Sequence, residues 1–479
     1  MEQKVTEKRA LALDALRGFA ILTMILSGRV PFGVLPGWMY HVQVPPPLHK
    51  FDPSIPGISW VDLVFPFFLF SMGAAFPFAL TRRREAGDSK LILTGFMFRR
   101  GLLLAFFAVV IQHIRPHTID PSLPISANLL ALLTFGFLFL IFYRYPKSIK
   151  RNYQIILKGV GYIGIIMFLY IISYSDGSGF SIKRFDIIIL VLSNVAVVGS
   201  AIWLITEKNI MLRIGFIAIC LAIRLSNSVD GSWINEINKA YAQVASGFHP
   251  LYLFNFNFLK YLFIVLPGTI AGEIILRWIN SKDETVKTHD NSKKYIPFAI
   301  LMFAMILLLL AGMYTRMVML TTIISAIALS LAYLSVRKTD DSFSKMVLSL
   351  FQWGFFWLML GLLAEPFEGG IKKDVSTMSY YFVTNGLAMF MLIGFSIIID
   401  YLRKAKWVQL LIDNGQNPML AYAGGTNLLT PIATLLYIEY FLGQMLATPW
   451  LGVLKGIILT TLLALAVSFF TKRKIFWRS

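Results

Sequence analysis

Long apolar runs separated by short polar turns repeat from one end of this chain to the other. Stretches such as IPFAILMFAMILLLLAGM (296–313) are apolar on every face, whereas the strands of a β-barrel would alternate apolar and polar residues. At roughly 20 apolar residues per crossing, the pattern predicts about fourteen membrane-spanning helices, within a range of about 10–14. They are expected near 11–30, 60–80, 91–113, 126–143, 154–174, 186–206, 211–226, 253–279, 296–314, 317–336, 346–364, 378–401, 416–442 and 448–470. The 211–226 stretch fits least well, being short and carrying Arg213 and Arg224. The expected fold class is all-α, a polytopic integral membrane helical bundle. No polar loop is long enough to fold alone, so 1–479 is expected to form a single transmembrane domain. No internal repeat stands out, which weighs against an inverted-repeat transporter.

Composition sharpens this picture without changing it. The 479 residues are 57% hydrophobic and 14% charged, against about a quarter charged in a soluble domain. A net charge of +19 would suit a nucleic-acid partner, but Lys and Arg gather in short loops such as TRRREAGDSK (81–90) and YRYPKSIKRN (143–152). That is the distribution of cytoplasmic loops, so lipid rather than nucleic acid is the expected partner. Lys4, Lys8 and Arg9 place the N-terminus in the cytoplasm, and an even number of crossings returns the basic C-terminus there. The first apolar run lacks a small-residue cleavage site and reads as a permanent helix. The single Cys220 excludes a disulfide framework and a cysteine-based metal site.

By this count the loops 31–59, 114–125, 175–185, 227–252, 365–377 and 443–447 lie outside. They carry His41, His49, His113, His117 and His249, five of the six histidines, while His289 falls inside. They also carry Asp52, Asp120, Asp176, Asp230, Glu236, Glu365, Glu368 and Asp374, and tryptophans 38, 60 and 233 stand in them or at their edges. A polar outer vestibule rimmed by aromatics suits a sugar.

Four constellations are candidates for chemistry. In the first span Asp14 and Arg17 are three apart and share a helix face, either as an interfacial ion pair or as part of a functional cavity. In HVQVPPPLHKFDPSIPGISWVDLVFPFFLF (41–70), prolines hold the loop extended before an apolar helix with Asp62 at its mouth. Asp62 reads as a helix-end charge or as the carboxylate that orients an imidazole. His41 and His49 read as polar loop residues or as a base or acyl acceptor. Arg99 and Arg100 either snorkel at the cytoplasmic end of a span or meet the phosphates of a nucleotide-bearing donor. In LIDNGQNPMLAYAGGTNLLTP (411–431), Asn417 fits an N-cap before Pro418. Gly424 and Gly425 there, like Gly268 and Gly272 in LPGTIAGEII (266–275), would let a neighbouring helix approach. The sequence holds no Walker A, HExxH or GxSxG motif, and its histidines have no diagnostic metal spacing.

At LALDALRGFAILTMI, ISWVDLVFPFFLFSMG, NGQNPMLAYAGG and the terminal KRKIFWRS the chain resembles the heparan-alpha-glucosaminide N-acetyltransferase family and its bacterial relatives, with the motifs in the same order. The resemblance is strongest over residues 9–110 and 365–479. It implies a transmembrane acetyltransferase of the bacterial inner membrane. Cytosolic acetyl-CoA would be the cosubstrate, and an amino sugar or glycan on the other side the acceptor, with no metal. It also implies a catalytic histidine between the RG-containing span and the DLVFP span. His49 is closer in sequence to Asp62, whereas His41 follows Trp38 and Tyr40 as the aromatics of that loop would lead one to expect; His49 is narrowly preferred. Asn417 would stabilise the developing oxyanion, and a homodimer is compatible with the sequence. The Gln-Arg of the bacterial relatives' fourth span is replaced here by ANLLALLTFGF. The competing expectation is a glycan or lipid transporter or flippase without acyl transfer.

Overall fold

The computed structural model describes residues 10–281 and 292–479 apart from Val34, Pro121, Leu123, Ser175 and 338–340. Lys4, Lys8, Arg9 and His289 therefore lie outside the described residues. In chain order the α-helices are α1 (Leu11–Ser27), α2 (Trp60–Glu85), α3 (Lys90–His113), the single turn α4 (Pro116–Ile119), α5 (Pro124–Phe142), α6 (Arg151–Ile171) and α7 (Ile187–Ile205). Next come α8 (Ile210–Asn227), α9 (Trp233–Gly247), α10 (Leu262–Asn280), α11 (Ser292–Tyr314), α12 (Val318–Val336), α13 (Ser342–Leu363) and α14 (Met378–Ser396). The last are α15 (Gln409–Gln416), α16 (Pro418–Gly424), α17 (Thr430–Leu435), α18 (Ile438–Gly443) and α19 (Pro449–Lys472). Among the described residues the only extended pairing is an isolated bridge between Tyr143 and Trp477.

Twelve of these helical segments are long and apolar enough to cross a membrane, and the protein is a multi-pass helical membrane protein. Two of the fourteen expected spans differ in form. The first, α1, has 17 residues. The 416–442 stretch is divided into α16, α17 and α18, with Pro418 and Pro431 at helix starts, a π-helical turn at Gly425–Leu429 and Tyr437 left-handed at φ 57°. Proline removes a backbone donor and starts a new segment, so apolarity alone could not reveal these breaks. Several helices begin where a short polar side chain caps them: Ser59, Ser89, Asp186, Asn209, Ser232, Asp341 and Thr448 each accept a backbone N–H of the first turn.

The helices form two compact units, residues 1–86 with 263–415 and residues 87–262 with 416–479. The first is built around α14, where 94% of the apolar stretch is buried, packed by α13, α11, α1 and α2. Its helices come unusually close. A Cβ on Gly18 would lie 1.9 Å from the Leu411 carbonyl oxygen, and one on Gly415 would lie 1.8 Å from that of Asp14. Gly268 and Gly272, expected as packing glycines, let α10 reach the backbone of α2 at Phe70 and Ala74.

In the second unit α7 is the buried helix and packs on α3. Only 11% of the apolar stretch of α6, and the same share of α8, is buried, so both present most of their surface to lipid. The C-terminal tail folds back into this unit. Trp477 is fully buried among Phe107, Phe135, Phe139 and Phe142. Arg144 N–H donates to the Phe476 carbonyl at 2.9 Å and Arg478 N–H to that of Phe142 at 2.8 Å.

Candidate active site

In the first unit, the loop between α1 and α2 is tied to the loop between α13 and α14. Gln43 is fully buried, and both ends of its amide grip the backbone of Asp374: the Asp374 N–H donates to Oε1 at 2.9 Å, while Nε2 donates to the Asp374 carbonyl. Gly57 N–H donates to the Ile371 carbonyl at 2.7 Å. Glu365 is buried and receives the Arg316 guanidinium at 2.5 Å and the Ile371 N–H at 3.1 Å. Two loops more than three hundred residues apart in sequence are thereby fixed to one another within this unit.

Asp62 is placed by helix geometry. It is the third residue of α2 and forms a reciprocal capping box with Ser59, whose N–H donates to Oδ2 at 2.9 Å. Val42 N–H adds a 3.4 Å contact to the same oxygen, and the Tyr380 hydroxyl donates to the Asp62 carbonyl at 2.8 Å. The carboxylate is 1% exposed. Its other oxygen, Oδ1, lies 3.2 Å from His41 Nδ1 and 3.9 Å from Lys373 Nζ. On the opposite edge of the ring, His41 Nε2 is 3.1 Å from Oδ2 of Asp374, a side chain that is 44% exposed. The imidazole thus stands between a buried carboxylate and a solvent-facing one.

With the proton on Nε2, the ring donates to Asp374 at 3.1 Å and Nδ1 accepts the Gln43 N–H at 3.3 Å. Oδ1 of Asp62 then lies 3.2 Å from Nδ1, buried and without a hydrogen bond. A proton moved to Nδ1 would lie beside that oxygen and free the Nε2 lone pair, as an orienting carboxylate beside a base requires.

The structure brings Asp62 to His41 rather than to His49. The His49 ring lies edge-on to Tyr40, with centroids 4.5 Å apart, and 4.6 Å from Phe32. Its Nε2 is 3.2 Å from both the N–H and the carbonyl of Gly33. His49 therefore closes the tip of the loop. Asp14 and Arg17 do pair, at 3.3 Å, and Arg17 also donates to the carbonyls of Gly415 at 3.2 Å and Ser71 at 3.3 Å, joining α1, α15 and α2.

The remaining candidates belong to the second unit. Arg99 and Arg100 do not sit at a helix end but well inside α3, about 14–15 Å along the axis from Lys90 at 1.5 Å per residue. Asn417 does occupy the N-cap position of α16, yet its side chain caps nothing. Its Nδ2 donates to the Ile475 carbonyl at 2.8 Å and its Oδ1 accepts the Trp477 N–H at 3.1 Å. The amide thus holds the tail through its oxygen and one of its two Nδ2 protons. Of the other histidines, His113 is fully buried, with Nδ1 2.7 Å from the Val109 carbonyl and Nε2 accepting the Ser181 N–H at 3.3 Å. Partial desolvation and the nearby Arg115 push the His117 pKa down, although the side chain is exposed. Among the described residues, no three His, Cys, Asp or Glu side chains converge as metal ligands.

Gln43, Lys373 and Asp374 are the members of the cluster that sequence reasoning did not join to Asp62. Asp374 stood among the outer carboxylates, but pairing it with His41 needs the contact between the two loops. Another buried cluster went unsuspected in the second unit: Asp186 receives the Arg115 guanidinium at 2.6 Å and the Tyr422 hydroxyl at 2.9 Å.

No curated protein matches this chain. One family model does, over residues 9–275, a stretch that includes His41, Asp62, Arg99 and Arg100 but ends before Lys373, Asp374 and Asn417. Its match runs over more than half of the 479 residues, and the chain belongs to the family described as a domain of unknown function (DUF5009).

Proposed function

We propose that this protein is a transmembrane acetyltransferase that moves an acetyl group from cytosolic acetyl-CoA to an amino sugar or glycan across the membrane. The observation that carries the reading is the pairing of His41 Nδ1 with the buried Asp62 at 3.2 Å, with Nε2 directed away from the buried carboxylate. The motif resemblance to heparan-alpha-glucosaminide N-acetyltransferases points to the same loop and the same helix mouth. In this reading both termini are cytoplasmic, the membrane is the bacterial inner membrane, and the His41 loop faces outward.

The chemistry follows from the geometry of the pair. With the proton shifted to Nδ1, a small turn of the ring would let it donate to Asp62, leaving the Nε2 lone pair for the acceptor. The Asp374 carboxylate, 3.1 Å from Nε2, gives way as the acceptor enters. His41 takes one proton from the acceptor nitrogen, which attacks the thioester carbonyl. The C–N bond forms, the C–S bond breaks, and CoA leaves as a thiolate that recovers a proton.

The test uses the purified protein in liposomes with labelled acetyl-CoA and a panel of amino sugars. His41→Asn and Asp62→Asn are expected to lower transfer by about 10²–10⁴-fold, the usual worth of a positioned base. Binding of CoA with transfer untouched by His41→Asn would remove the histidine from the mechanism. No CoA binding, together with passage of a glycan across the bilayer, would favour the transporter reading instead.

A further inference from the structure

Helix α9 (Trp233–Gly247) differs in kind from the spans around it. At about 100° per residue, Trp233, Ile237, Ala240, Val244 and, one residue beyond the helix, Phe248 fall in a stripe roughly 80° wide. All five side chains are exposed. Glu236, Lys239, Gln243 and Ser246 occupy a separate arc centred about 120° away, where Lys239 lies 3.0 Å from Glu236 and 3.8 Å from Asp230, so this face has no excess of positive charge. Ala245, on the flank, is buried against the rest of the unit.

Both ends of α9 are tied to neighbouring spans. Ser232 Oγ donates to the Ser226 carbonyl at 2.6 Å, and Asn235 Nδ2 to that of Asn227 at 2.8 Å, in the last turn of α8. Tyr241 donates to the Leu251 carbonyl at 3.1 Å, where the apolar Leu251–Asn280 segment begins. The helix is therefore held at the level where α8 leaves the lipid and the next span enters it. Little of α8 itself is buried, which leaves most of its surface to lipid.

We propose that α9 lies flat in the membrane interface, with Trp233, Ile237, Val244 and Phe248 sunk to the boundary of the acyl chains and the Gln243–Ser246 face in water. Trp and Tyr side chains favour this level. Because the polar face is neutral rather than basic, apolar insertion alone holds the helix, and anionic headgroups contribute nothing to it.

Cys220 is the only cysteine, so Cys220→Ser provides a background for single spin labels. Labels placed by Ile237→Cys and Val244→Cys are compared with those placed by Gln243→Cys and Ser246→Cys. The vesicles are phosphatidylcholine, with and without phosphatidylglycerol. The expected result is an oxygen-to-nickel-chelate accessibility ratio several-fold higher at 237 and 244 than at 243 and 246, unchanged by phosphatidylglycerol. In the chain with its native residues, brominated lipids should quench a fluorescence component that Trp233→Phe removes. Free nickel access at all four positions would overturn the proposal by placing α9 in water. Exclusion of both reagents from 237 and 244 would overturn it by placing another protein surface there, and an increase in the ratio with phosphatidylglycerol would overturn its charge-neutral basis.

Discussion

His41 and His49 share one loop and one residue type, yet their surroundings give them different work. His41 meets Asp62 and Asp374, whereas His49 is enclosed by Tyr40, Phe32 and the Gly33 backbone. His49→Ala is expected to loosen the loop tip and leave transfer within about tenfold of the parent, a contrast with His41→Asn that initial-rate assays would measure. A second residue-scale prediction concerns Tyr174. Burial raises its phenol pKa from the usual 10 to about 12, partly offset by the Arg184 guanidinium lying 4.1 Å over the ring. A raised pKa means that the folded state holds the proton more tightly. The resulting stability is complete below about pH 10 and is lost as pH rises through 12. Thermal melts from pH 9 upward should show an alkaline decline that Tyr174→Phe weakens; an identical decline in that variant would assign it to other groups. Asp62 and both histidines were legible as candidates from residue type and position. Which histidine lies beside Asp62 was not, because that depends on loop closure through Gln43 and Asp374.

At the scale of elements, apolar run length served well for the spans, since a helix in lipid must satisfy its own backbone. It failed at 416–442, where prolines and a π-helical turn divide an apolar stretch. Close helix crossings follow from glycines, and the sequence marked Gly268 and Gly272 correctly as packing positions. It did not mark the tightest one, at Gly18 and Gly415. A methyl group there meets backbone within 2 Å, so Gly18→Ala or Gly415→Ala should destabilise the first unit by about 1–3 kcal/mol or more. Gly95, with open space around its Cα, serves as the control, and Gly95→Ala should be neutral or slightly stabilising in thermal melts. Trp477 makes a parallel case in the second unit. Replacing this fully buried ring by alanine should cost about 3–5 kcal/mol and release the tail from Asn417, which limited proteolysis near the C-terminus would detect. Intact protection of the tail in Trp477→Ala would contradict the view that the ring holds it.

For the whole molecule, an apolar composition with few charges required a multi-pass helical bundle, and twelve helical segments of spanning length form one. Loops 31–59 and 365–377 meet in the first unit, and in the second the tail meets the 143–144 turn. Composition could not reveal that contacts gather the chain into two units assembled from distant segments, because that depends on which helices pack together. The central claim is that His41, oriented by Asp62, transfers protons in acetyl transfer. It is tested most directly by single-turnover transfer from labelled acetyl-CoA to an amino sugar, comparing the parent chain with His41→Asn. CoA binding should persist in that variant while transfer falls by about 10²–10⁴-fold. Transfer at the parental rate in that variant would contradict it.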